Sequence, residues 1–268
     1  MMQQWTIEGP EQLTFGHVGS LDVRVVAGRL AVLASDGPPA LKVAEFDSES
    51  PLLVAYDEDA RRLSVTYKDL TWDGMLGWLR RDRRRTVATL TVPRSCVVNA
   101  GVVSASAVVA GFEAATRVKS VSGEIVLDGV SGEVNATTAS GHVESRAMAG
   151  DLSFKSVSGD LTVAGGLPRR LRANTVSGRI TADLTLRPTG HVTLHTVSGA
   201  IMVRLPDNAQ ADVTIRSTSG RLVSAFGEIA QSGGSGTRSM SGRLGGGMAS
   251  LSATTVSGDV TLLKGEKE

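Results

Sequence analysis

The chain of 268 residues has one cysteine, Cys96, so no internal disulfide can staple it, and a reducing compartment suits it. Aromatics are scarce at 4%, and beyond residue 111 there is no Trp or Tyr, only Phe112, Phe154 and Phe226. That leaves the second half without the exposed rings that carbohydrate-handling surfaces use. Charge of either sign is not in excess: the formal net charge is +1, which steers the molecule toward no particular partner. No run approaches the roughly 18 apolar residues of a membrane span. The opening MMQQWTIEGPEQLTF lacks the basic-then-apolar order of a secretory signal. The expectation is a cytoplasmic protein, or one peripheral at the inner membrane face. Helical periodicity is nearly absent too, which predicts an all-β chain with one exception.

What is present is a tripeptide that returns. VSGEI at 121–125, VSGEV at 130–134, ASGHV at 139–143, VSGDL at 157–161, VSGRI at 176–180 and VSGAI at 197–201 are followed by TSGRL at 218–222, MSGRL at 240–244 and VSGDV at 256–260. Gly123, Gly132, Gly141, Gly150 and Gly159 are nine residues apart, and the later steps are 19, 21, 21, 22 and 16. Such a period predicts stacked supersecondary units, here coils of two half-turn strands. In the later coils the second glycine corner gives way to a proline turn at Leu167-Pro168, Leu186-Arg187-Pro188 and Leu205-Pro206. Two residues after each glycine stands an aliphatic side chain, including Ile125, Leu161, Ile180, Ile201 and Leu222, and this column is expected inside. The residue directly after glycine is mostly charged and expected outside. The serine before it can bond to neighbouring backbone and form a ladder. Gly123, Gly141, Gly159, Gly178, Gly199, Gly220 and Gly242 are therefore expected to stack along one edge about 4.8 Å apart. Gly101 and Gly111 read as weaker corners. An antiparallel sandwich would explain strands and turns, but not columns that hold register over ten corners.

Upstream, LDVRVV (21–26), RLAVLA (29–34), LKVAEF (41–46), LLVAY (52–56), RLSVTY (62–67) and TVATLTV (86–92) read as strands at irregular spacing. The predicted organisation is an N-terminal β-strand region over 1–95, with one amphipathic insertion at about 69–85, then a parallel β-helix or solenoid over 96–268. The T-x-S-G-[DE]-[IV] corners, reached through Val92-Pro93, resemble the bacterial putative-adhesin family of β-strand-repeat proteins, a domain of unknown function. The resemblance is best over residues 86–263. It implies a β-helix-like fold, and no catalytic residue carries over with it.

The exception to the β pattern is DLTWDGMLGWLRRDRRR at 69–85. Trp72, Met75, Leu76 and Leu79 are spaced i, i+3, i+4, i+7. Trp78 adds a second indole, and Arg80, Arg81, Arg83, Arg84 and Arg85 follow. This is the candidate interaction surface, suited to an anionic membrane surface or a protein partner. The competing reading is a cover packed on the end of the strand stack. Nucleic acid is not favoured, since an arginine cluster binds phosphate wherever it sits.

Other motifs carry less. The corners lack the G-G-x-G-x-D of calcium nonapeptides, and GGSG (233–236) and GGG (245–247) lack the Lys-Ser/Thr of a phosphate loop. His191 and His195 share a strand face without further metal ligands in view, and Cys96 reads as buried packing. Asp160 beside Arg179 reads as a surface ion pair. No catalytic, cofactor or metal residue is predicted. The functional expectation is a non-enzymatic scaffold or binding protein. The alternatives are a carbohydrate-active enzyme on a β-helix, which needs paired carboxylates in a groove, and a structural protein polymerising end to end, which needs uncapped apolar ends.

Overall fold

The computed structural model describes residues 1–48, 50–67, 84–234 and 237–265, and among these there is no helix. The chain divides into a unit of residues 1–126 and a unit of residues 127–268.

The first unit holds β1 (Met2–Ile7), β2 (Glu11–Thr14), β3 (Ser20–Val25), β4 (Ala27–Ala34), β5 (Ala40–Ser48), β6 (Leu52–Asp57), β7 (Arg62–Tyr67), β8 (Arg84–Val92), β9 (Val97–Val102), β10 (Ser106–Ala110) and β11 (Thr116–Ser120). β12 (Ile125–Asp128) spans the division. One sheet of this unit runs β1-β6-β7-β3-β9-β11 and the other β2-β5-β8-β4-β10. The pairs β7–β3, β3–β9, β9–β11, β8–β4 and β4–β10 are parallel. β6 on β7, β1 on β6, β5 on β8 and β2 on β5 are antiparallel. A parallel stack thus ends in antiparallel strands. Chain order and stacking order also differ. β3 and β4 form an inner coil, β7 and β8 lie on one side of it, and the chain returns to lay β9 and β10 on the other.

The second unit holds β13 (Glu133–Thr138), β14 (Val143–Arg146), β15 (Asp151–Ser156), β16 (Leu161–Gly166), β17 (Arg170–Thr175), β18 (Ile180–Leu184), β19 (His191–Thr196), β20 (Ile201–Pro206), β21 (Ala211–Ser217), β22 (Leu222–Ser224), β23 (Ala230–Gly234), β24 (Thr237–Leu244), β25 (Ala249–Thr255) and β26 (Val260–Gly265). Its sheets run β13-β15-β17-β19-β25-β21-β24-β23 and β14-β16-β18-β20-β26-β22. All pairs are parallel except β21–β24 and β24–β23. The solenoid expectation holds. Leu167-Pro168 and Leu186-Arg187-Pro188 fall at the second corner, between β16 and β17 and between β18 and β19, whereas Leu205-Pro206 are the last two residues of β20, just before that corner.

The expected core column is inside: Ile125 and Ile180 are 0% exposed, Leu161 and Ile201 1%, Leu222 7%. Their register is direct, with Leu161 opposite Ile180 and Ile180 opposite Ile201. Strands such as β18, β19, β21 and β25 alternate buried and open side chains, so the narrow core fills with Val, Ile, Leu and Ala.

One expectation about the corners needs correction, and two of their features go beyond what was expected. First, the last coil is out of sequence. β25 and β26 insert between β19–β20 and β21–β22, so Gly258 stands between Gly199 and Gly220. Gly242 is not a corner at all. It lies in β24, opposite Val213 of β21 in an antiparallel pair, and its neighbour Met240 points inward at 6% exposure. Second, the valine of Val-Ser-Gly faces out at four corners, with Val157 58% exposed, Val176 49%, Val197 39% and Val256 45%, whereas Val130 is 1% exposed. Third, the corner glycines are selected by close approach. A Cβ on Gly178, Gly199, Gly258 or Gly220 would lie 1.8–2.0 Å from the carbonyl oxygen of the glycine one coil away.

The corner is closed by a residue outside the tripeptide. Three positions before glycine stands a Ser or Thr whose hydroxyl accepts from the glycine N–H. Thr138 serves Gly141 (2.8 Å), Ser156 Gly159 (2.7 Å), Thr175 Gly178 (3.0 Å), Thr196 Gly199 (3.0 Å), Ser217 Gly220 (2.8 Å) and Thr255 Gly258 (3.0 Å). Thr138, Thr175, Thr196, Ser217 and Thr255 are at most 4% exposed, so each bond satisfies a buried amide that has no room for water. The outer serines form the expected ladder, for example Ser158 Oγ to the Ala139 carbonyl (3.3 Å) and Ser219 Oγ to the Val256 carbonyl (3.3 Å).

Candidate binding surfaces

Trp72, Met75, Leu76, Trp78, Leu79, Arg80, Arg81 and Arg83 lie outside the described residues. The ends of their segment are defined: it leaves from Tyr67, the last residue of β7, and returns at Arg84, the first of β8. Arg84 places its guanidinium 5.6 Å from the Tyr67 ring centroid, a cation–π contact. Arg85, 66% exposed, lies 3.8 Å from Glu45. The Tyr67 hydroxyl meets Thr86 Oγ1 at 2.5 Å in the core, and burial pushes the phenol above its ordinary pKa.

The described surface is otherwise a set of sheet faces with ions matched in pairs. Arg146 donates through Nε and Nη2 to Glu144 (2.8 Å each) and Arg169 does so to Asp151 (2.9 and 2.6 Å). In each case the donating guanidinium holds the carboxyl below its usual range. Arg243 bonds Asp212 at 2.7 Å, Lys264 bonds Asp207 at 2.5 Å, and Arg204 bonds Asp183. The expected Asp160–Arg179 ion pair is instead a bond to backbone. Asp160 Oδ1 accepts from the Arg179 N–H at 2.7 Å, and Asp259 treats Arg221 identically.

His191 and His195 share a face, as their spacing predicts. His191 Nδ1 meets Ser250 Oγ at 2.7 Å and is flanked by Arg170, while His195 is flanked by Asn174 and Thr254. Among the described residues no three of His, Cys, Asp and Glu gather where they could hold a metal. Cys96 is buried, and its desolvated thiol is pushed up to about 12, so it is an inert packing group at neutral pH.

Two concavities were not foreseen. In the second unit a trough of about 1040 Å³ crosses the ends of β16, β18, β20 and β26, lined by Gly166, Leu167, Asp183, Arg204, Asn208 and Lys264. In the first unit a notch of about 270 Å³ opens on the outer face of β3, β9 and β11. Its floor is Ala100 and Gly101, and its walls are Asp22, Arg24, Asn99, Arg117 and Lys119. Gly101, expected to be a corner, is inside β9, opposite Arg24 on one side and Lys119 on the other. The alternating D-V-R at 22–24 and R-V-K at 117–119 was the readable signal; the register that joins them was not.

Columns of corner hydroxyls and glycines between two parallel sheets define a β-strand-repeat solenoid. Residues 169–263 match the family model described as Toastrack DUF4097. Similar solved structures include a putative adhesin from Parabacteroides distasonis, at 14% identity, 99% of this chain, 97% of that chain and TM-score 0.49. A putative adhesin from Bacteroides fragilis aligns at 10% identity, covering 98% and 97%, with TM-score 0.48. A putative lipid binding protein from Parabacteroides distasonis aligns at 10% identity, covering 98% and 96%, with TM-score 0.32. No curated protein matches the chain.

Proposed function

We propose that this protein is a binding scaffold rather than an enzyme, and that it docks on an anionic membrane surface through residues 69–83. One observation carries the reading. Where β13 meets β14 four residues turn the corner, and where β7 meets β8 sixteen residues stand in its place. Those sixteen contain two of the three tryptophans of the chain and Arg80, Arg81 and Arg83. Apolar side chains at helical spacing beside clustered arginines gain from burial in the acyl boundary and from the negative potential of anionic lipid. The paired ions of the sheet faces offer no comparable attraction. On this reading the protein works in the cytoplasm, at the inner face of the membrane.

The alternatives have less support. A carbohydrate-active enzyme needs two carboxylates free to act, whereas Asp183 and Asp207, beside the large trough, are tied to Arg204 and Lys264. End-to-end polymerisation is disfavoured by the antiparallel edge strands β1 and β2, which present Gln3, Gln4, Glu11 and Gln12 to solvent. Sedimentation with vesicles is the test. The chain should pellet with anionic and not neutral vesicles, and lose binding when Arg80, Arg81 and Arg83 become Gln or when salt is raised. Arg84 and Arg85 stay unchanged, because they root β8. No binding at low salt discards the membrane and leaves a protein partner.

A further inference from the structure

The notch over Gly101 points to a second site, on residues the docking proposal does not use. Gly101 is inside a strand, where glycine is costly and recurs where a ligand or backbone must come close. The other outward positions of that row keep long side chains, Arg24 and Lys119, so the missing one at Gly101 opens a gap between two cations. Four positive groups share the face, namely Arg24, Arg62, Arg117 and Lys119, with a single carboxylate, Asp22, among the notch walls. That carboxylate lies to one side: Arg24 Nε and Nη2 hold it at 3.2 Å each, and Arg62 stands at 3.6 Å. The same contacts fix Arg24 as a wall, its side chain 28% exposed. On the far side Arg117 Nη1 donates to Asn99 Oδ1 at 2.9 Å, which fixes the second guanidinium and turns the Asn99 amide.

We propose that this notch binds a phosphate-type oxyanion, with Lys119 supplying the point charge, Arg117 the planar fork and the glycine floor the room. A guanidinium fork matches two oxygens of such an ion and an ammonium a third. About 270 Å³ accommodates one tetrahedral group with some of its water. A free phosphate and a phosphomonoester headgroup present the same chemistry, and the experiment separates them.

The probe is inorganic phosphate, titrated into the full-length protein at low salt and followed by backbone amide chemical shifts. Saturable shifts centred on Asn99, Gly101 and Lys119 are expected. Gly101→Val should abolish them by filling the gap. Lys119→Gln, on an open position that tolerates it, should weaken binding roughly tenfold or more, as loss of a charge-assisted hydrogen bond does. The source is then read with phosphatidic acid vesicles, using the chain whose Arg80, Arg81 and Arg83 are Gln, so that failure of the docking proposal does not touch the result. Vesicle binding displaced by phosphate identifies a headgroup, and phosphate shifts without vesicle binding identify the soluble ion. Shifts that never saturate, or that persist unchanged in Lys119→Gln, overturn the site.

Discussion

The two units solve one problem by different means. Each stacks parallel coils, has antiparallel strands at one sheet edge at least and lays one coil out of sequence. The second unit does so by repetition. A buried hydroxyl closes the corner, and a glycine lets the next coil approach to carbonyl contact at Gly178, Gly199, Gly258 and Gly220. In the first unit the corners differ from one another. Gly28 turns with φ of 107° and approaches Thr86, and Tyr67 closes the next coil with its hydroxyl on Thr86. Repetition lets any corner stack on any other, and that is what permits β25–β26 to enter between β19–β20 and β21–β22. Individual corners fix a single neighbour each.

The largest expected effect should be common to both units, since a narrow aliphatic core excludes charge wherever it lies. Ile180→Asp and Leu30→Asp, each at a site 0% exposed, should destabilise by about 4 kcal/mol or more. Thermal melts check this, and a variant within a degree or two of wild type would put its column on the outside. Next come the corners. Gly199→Ala drives a Cβ to 1.8 Å from the Gly178 oxygen and should cost about 3 kcal/mol. Gly129→Ala, with φ of 58° but open space around the added carbon, should cost about 1 kcal/mol of backbone strain. Equal costs in chemical denaturation would mean that the corner glycines serve conformation and not stacking.

Much of this was readable. All six N-terminal segments with alternating or β-branched patterns are strands, and the aliphatic column and the nine-residue corners are where periodicity puts them. The intercalated coil was not readable, because one tripeptide corner looks like another and nothing local to VSGDV says that Gly199 is its neighbour. Gly242 could have been set apart by spacing alone. Nothing at its −2 position does so, since Met240 is buried there as Met148 is before Gly150; the step of 22 followed by 16 was the one irregularity. The hydroxyl column at Thr138, Ser156, Thr175, Thr196, Ser217 and Thr255 was visible but hidden beside a louder motif. The notch joins Arg24, Gly101 and Lys119, residues far apart in sequence, through a register that only pairing supplies.

A sharper test of the comparison lies in the hydroxyls. Thr196→Val keeps shape and volume but orphans the buried Gly199 amide, and should cost about 2 kcal/mol. Thr86→Val in the first unit should cost less, about 1 kcal/mol, because the Tyr67 hydroxyl loses Thr86 but keeps Ser48. The two differ in what can be repaired. Tyr67→Phe removes the under-bonded hydroxyl and should return part of the loss in the double variant, whereas no side-chain change removes a backbone N–H. Denaturation midpoints of the four variants decide it, and a double variant no better than Thr86→Val would show that Ser48 alone satisfies the Tyr67 hydroxyl.

The smallest effect belongs to the faces that corners hold apart. Asp151 is held below the ordinary carboxylate range chiefly by the two hydrogen bonds from Arg169, with burial opposing and Arg170 assisting. A lowered folded pKa means that this stability is fully present above the unfolded value of about 3.9 and is lost as pH falls through the folded one. Arg169→Gln should therefore lower Tm slightly at neutral pH and low salt. The gap should close on acidification, and added salt should shrink it because Arg169 is 70% exposed. Melts of both proteins from neutral to strongly acid pH measure it. A gap that widened on acidification would reverse the sign and deny the pair its role. A gap as large as that from Thr196→Val would mean that the faces, and not the corners, hold the second unit together.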